Sequence, residues 1–126
     1  MKLLNIVSSG YRATIEEQDD TIVWLTHCLR NAGAEADLLL CGSAVNYAVR
    51  EQSVDPVRIG ERIQTHGPDV HGQVRDFAET GAKVFAIEED VDERSIDSAG
   101  FLREVEIIPR KALPKLFKSY ERVWHW

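Results

Sequence analysis

The chain has 126 residues, 44% of them hydrophobic and 29% charged, which is too apolar for a disordered segment and about the size of one folded domain. Fifteen Lys and Arg against 21 Asp and Glu leave a formal charge of −6, which excludes a generally basic protein that coats nucleic acid and disfavours adsorption to anionic membrane. No run approaches the roughly 20 apolar residues of a membrane-spanning helix. The opening MKLLNIVSSG turns polar by Ser8, too soon for a secretory leader, so a cytoplasmic location is expected.

Leu3 to Val7 is a short apolar run closed by Ser8-Ser9-Gly10, the pattern of a buried strand and a turn. From Ile15 to Asn31 a helix is predicted, with Ile15, Ile22, Leu25, Leu29 and Ala32 on one face. Glu16, Glu17, Asp19 and Asp20 suit its first turns, Arg30 its last, and Gly33 ends it. Ala36 to Cys41 reads as a second buried strand closed by Gly42-Ser43. Ala44 to Glu51 reads as a short helix with Val45, Ala48 and Val49 inward. Residues 52–67, with Pro56, Gly60 and Gly67, read as irregular chain with one helical turn. Val70, Val74, Phe77 and Ala78 then share a helix face, with Gly81 as its stop.

Lys83 to Glu88 is a third strand, Asp92 to Ala99 a short helix, and Val105 to Ile108 a fourth strand. Pro114 suits the first turn of a last helix bearing Leu113, Leu116, Phe117 and Tyr120 on one face. Val123-Trp124-His125-Trp126 gives a fifth strand, packed against the body or held in a subunit contact. Strands separated by helices imply right-handed crossovers. The expected architecture is therefore a single-domain α/β fold over residues 1–126: a flavodoxin-like open sheet of about five mostly parallel strands with helices on both faces.

Ligands of such sheets sit beyond the carboxyl ends of the strands. The segments to inspect are Ser8, Ser9, Gly10 and Tyr11; Cys41, Gly42 and Ser43; Glu88, Glu89 and Asp90; and Pro109 with Arg110. The Ser8–Tyr11 loop offers hydroxyls and amides that could cradle an anion, although it lacks the P-loop pattern and precedes an acidic helix start. Cys41, at a strand end among small residues, is either a thiol facing the cleft or a small buried hydrophobe, and the sequence places no cation beside it. Cys28, in mid-helix, is expected to serve packing alone. Neither cysteine fits a disulfide framework or zinc spacing. His66, Asp69 and His71 are a weak metal-ligand cluster, for which a solvated loop is the stronger reading. Glu88-Glu89-Asp90 reads chiefly as a helix-starting acidic turn. No cofactor and no metal site is assigned.

Four stretches together resemble the DsrE/DsrF-like (TusD-like) sulfur-relay family: LLNIVSSG, LRNAGAEADLLLCGSAV, FAETGAKVFAIEEDVDERSI and the closing VWHW. The resemblance implies a small α/β subunit assembling into homo-oligomers (trimers or hexamers) or into family hetero-oligomers. It also implies a persulfide-carrying cysteine at Ile87-Glu88-Glu89, where this chain has none, and a carboxylate cannot carry sulfane sulfur. Two readings follow: a non-catalytic or binding subunit, or a sulfur carrier in which Cys41 supplies the thiol. A third, of a different class, is a small-molecule or nucleotide-binding module using Ser8 to Tyr11, Gly42 and Glu88.

Overall fold

The computed structural model describes residues 1–11 and 19–126. Its backbone is organised by three short runs too apolar to sit anywhere but between two covered faces: β1 (Lys2–Val7), β2 (Glu35–Leu40) and β5 (Val84–Ile87). β6 (Val105–Ile108) flanks β5 and β7 (Arg122–His125) flanks β1, giving the order β6-β5-β2-β1-β7 with every neighbouring pair parallel. The sheet is the five-stranded α/β sheet expected from the sequence.

The registers fix which side chains share a face. Leu4, Asp37 and Val123 lie in one row, and Ile6, Leu39 and His125 in the next. On the opposite face Leu38 and Leu40 stand with Val84 and Ala86. That face is the larger core. It packs against α1 (Thr21–Asn31), the 3-10 turn Gly42–Ala48, α2 (Val70–Glu79) and α3 (Glu88–Glu93), through Val23, Val45, Tyr47, Val74, Phe77 and Val91. The other face carries Leu4, Ile6, Leu39, Phe85, Ile87 and Ile108. It is covered by Leu113, Leu116 and Phe117 of the two-turn α4 (Leu113–Lys118) and by Tyr120. Helices do cover both faces, but unequally.

Several boundaries differ from the sequence reading. α1 starts at Thr21, because the buried Asp20 carboxylate accepts the Ile22 and Val23 amides at 2.9 and 3.1 Å and so caps the helix there. Ile15, Glu16 and Glu17 lie outside the described residues. The buried positions of α1 are Val23 and Thr26, with Leu25 and Leu29 only half-buried. The shift has a polar cause: Thr26 accepts from the Nδ2 of the fully buried Asn5 at 2.7 Å, so a hydroxyl holds the place expected for an aliphatic side chain.

Residues 52–67 contain no helical turn. They form a small antiparallel hairpin, β3 (Arg58–Ile59) and β4 (Arg62–Ile63), turning through Gly60 at φ 61°. The helix expected at Asp92–Ala99 begins four residues earlier, directly at Glu88, and is followed by a separate 3-10 turn at Ser98–Gly100. The closing strand does form, as β7, but all four of its residues are exposed rather than packed.

Candidate functional site

A cleft of about 340 Å³ opens at the carboxyl ends of the strands, on the side covered by α4. Its walls are apolar (Ile6, Leu39, Ile87, Leu113 and Phe117), and its polar groups are Cys41, Gly42, Asp90, Arg110 and His125. These five polar residues arrive from four strand ends. Cys41 and Gly42 follow β2, Asp90 belongs to the first turn of α3 after β5, Arg110 follows β6, and His125 closes β7.

Asp90 organises the cleft. It is buried, and its two oxygens serve two segments: Oδ2 accepts the Gly42 amide at 2.8 Å and Oδ1 accepts Arg110 Nη2 at 2.7 Å. Next to it, Glu89 accepts the Arg110 amide at 2.8 Å, and that bond holds the Glu89 carboxyl below its ordinary range. The acidic turn is therefore a clamp across three strand ends. Gly42 is required where it stands: φ is 56°, and a Cβ would lie 2.6 Å from the Ser8 carbonyl oxygen.

The Cys41 thiol is half-buried in the cleft wall and donates a long bond, 3.7 Å, to the Val7 carbonyl. Burial pushes its pKa up, the Asp90 charge pushes it further, and Arg110 pulls it partly back. The cation missing from the local sequence is thus supplied by the fold, from Arg110. The net direction still keeps the thiol protonated at neutral pH. Cys28 is exposed on α1, contrary to the packing role expected of it.

In the Ser8–Tyr11 loop, two of the amides that could have cradled an anion are used within the fold. The Gly10 amide is spent on Ser43 Oγ at 2.8 Å and the Tyr11 amide on the Tyr47 hydroxyl at 2.6 Å, so neither is left for a ligand. Tyr47 in turn donates to Asp20 at 2.6 Å, and burial with that bond drives its pKa well above the usual tyrosine value. Tyr11 itself sits at φ 62°, its ring edge-on to Tyr47 and its hydroxyl bonded to Gln52 at 2.5 Å. Ser8 turns toward the chain's last residues, donating to the Trp126 carbonyl at 3.2 Å, with His125 Nε2 at 3.0 Å from its hydroxyl. Ser9 is half-buried and Glu88 exposed, and neither lines the cleft.

Of the residues singled out in the sequence, the fold brings Cys41 and Gly42 to the cleft. Asp90 and Arg110 stand among the strand-end residues marked for inspection but were assigned no site role, and His125 was not singled out for one. Their signal was present, since each sits at a strand's carboxyl end. Among the described residues no three potential metal ligands gather. Asp69 caps α2 through the Gly72 amide and pairs with His71 at 3.1 Å, while His66 contacts Thr65. No described helix is long and apolar enough to cross a membrane.

Solved structures share the fold that carries this cleft. The chain superposes on the ychN protein from E. coli with a TM-score of 0.73 at 19% identity, covering 100% of both chains. It superposes on MTH1491 from Methanobacterium thermoautotrophicum, a protein of unknown function, with a TM-score of 0.64 at 11% identity, covering 98% of this chain and 97% of that one. The chain shares their fold. That is the α/β fold expected from the DsrE/DsrF-like resemblance. No protein-family model matches the sequence, and no curated protein sequence matches it.

Proposed function

We propose that this protein is a DsrE-like subunit related to sulfur relay, and that it works by binding a small ligand in the strand-end cleft. The observation that carries this reading is the Asp90 clamp. A buried carboxylate ties Gly42 and Arg110 together around an apolar hollow, which is the construction of a preformed binding site. Cys41 lines the wall as a protonated thiol, and the position corresponding to the family's reactive cysteine is occupied by the start of α3.

The competing reading makes Cys41 a sulfur carrier, and its place in the cleft near Arg110 supports it. In that step the Cys41 thiolate attacks the terminal sulfur of a donor hydropersulfide. A new S–S bond forms on Cys41, the donor's S–S bond breaks, and its electron pair leaves on the donor thiolate. No outside oxidant is consumed.

Incubation with a hydropersulfide donor followed by intact-mass analysis separates the two. The binding reading expects no sulfur adduct on Cys41 at neutral pH. A +32 Da adduct that disappears in Cys41→Ser makes the protein a carrier instead. Assembly into a trimer or hexamer, cytoplasmic in location, belongs to the same proposal. The exposed β7 edge, with Val123 and Trp124, supports an assembly contact. A monomer in sedimentation at tens of micromolar would count against assembly.

A further inference from the structure

A second hollow, of about 330 Å³, lies away from the cleft, bounded by α2, the segment after the 3-10 turn and the approach to β6. Three arginines (Arg50, Arg75 and Arg103) and His71 line it, together with Glu51 and Glu104. Three arginines against two glutamates leave the lining with one positive charge in excess in a chain of net charge −6, while Asp69 pairs with His71 and Asp76 with Arg75.

Its framework is fixed. The Arg50 amide donates to Gly100 O and the Leu102 amide to Ala48 O, both at 2.8 Å, around the antiparallel bridge Val49–Phe101. That bridge carries Arg50 and Arg103 on adjoining segments over the buried Leu102. His71 and Arg75, one helical turn apart on α2, form the facing side.

The arginines are not used up by the fold. Among the described residues no ion pair joins either glutamate to any of the three. Arg50 donates to the Ala99 carbonyl, and among the described residues Arg75 reaches only its neighbour Asp76, at 3.7 Å. Arg103 makes no hydrogen bond or ion pair with a described residue. Guanidinium forks left with free donors around one concavity match the planar, two-point geometry of oxyanions.

We propose that this hollow binds a phosphate-class anion, with Arg75 and Arg103 as its principal donors. The volume exceeds that of a single phosphate, so a diphosphate or a phosphorylated small molecule fits better than orthophosphate.

Titration with inorganic pyrophosphate at moderate salt, followed by amide chemical shifts and calorimetry, tests it. The expected result is saturable binding at millimolar concentration or below, with shifts centred on His71, Leu102 and Arg103. Arg75→Ala and Arg103→Ala each lower the affinity about tenfold, and Arg103→Lys lowers it less, because charge survives but the fork does not. Arg122→Ala, the same charge change on β7, leaves it unaltered. Orthophosphate binds more weakly than pyrophosphate if the ligand carries two phosphoryl groups; equal binding points to a monophosphate, still within the proposed class. The proposal is overturned by absence of binding at millimolar pyrophosphate. It is equally overturned by shifts centred on Gly42 and Arg110, or by an Arg122→Ala loss as large as the others, which would mean bulk attraction. Melting temperatures within a few degrees of the parent confirm that the variants are folded.

Discussion

Two buried carboxylates lie near opposite ends of β2, Asp37 on the strand itself and Asp90 on α3 against Gly42, and they are used in opposite ways. At the amino end, Asp37 is buried and answered on every side. Tyr120 donates to it at 2.6 Å, the Lys83 amide at 2.8 Å, and Arg30 lies 3.6 Å away. At the carboxyl end, Asp90 is buried to the same degree, but its partner Arg110 is half-exposed and the pair borders an open cleft beside Cys41. A carboxylate enclosed by partners is spent on the fold; one that holds a cation at the edge of a hollow leaves that cation within reach of a ligand.

The largest effect that would break this contrast is at the amino end. Asp37→Ala strands the Tyr120 hydroxyl and the Lys83 amide, and it should cost about 3 kcal/mol in chemical denaturation. Adding Tyr120→Phe should restore part of the loss. A loss no greater than that of Asp90→Asn would erase the distinction between the two ends. Next comes Gly42→Ala, expected to cost roughly 2 kcal/mol or more from the left-handed backbone and the contact with Ser8. It should also disturb the cleft, visible as altered Cys41 accessibility.

Alkaline pH gives a third, smaller effect. Tyr47 and Tyr120 both have pKa values raised above the usual value near 10, by burial first and then by their aspartate partners. A raised folded-state value favours the protonated hydroxyl in the native protein. This stability is therefore fully present below about pH 10 and is lost as pH rises beyond it. Urea midpoints should fall above that pH, and a Tyr47→Phe/Tyr120→Phe protein should show a flatter profile. Smallest in energy is Asp90→Asn, about 1 kcal/mol or less because solvent screens the half-exposed Arg110. Its signature is chemical: the pH profile of Cys41 alkylation should move down in Asp90→Asn and up in Arg110→Ala. In the parent, exposed Cys28 should react first at neutral pH.

The sheet was legible because short apolar runs such as LLL and VFAI, bounded by glycine and polar turns, read as buried strands, and the Gly33 and Gly81 stops bounded the helices correctly. The start of α1 was not, because Asp20 reads equally well as a first-turn acid or as a cap, and its bonds to the Ile22 and Val23 amides decide between them. The hairpin at residues 58–63 was hidden because its strands are two residues long and exposed, leaving no alternation to count. At the cleft, Cys41 and Gly42 announced themselves by type and position. The pairing of Arg110 with Asp90 did not, because the two are 20 residues apart and only the parallel pairing of β5 with β6 brings the two strand ends together.

One consequence concerns the closing strand. β7 is held through β1, its edge faces solvent, and its link to the loop after β1 spans 117 residues of sequence at His125 and Ser8. Such a pairing closes a long loop for few buried contacts, so it forms late in folding and is among the first to open. His125 departs with it. Hydrogen exchange at β7 should accordingly outpace that of β2, and its opening rate sets how often one side of the cleft becomes a doorway rather than a wall.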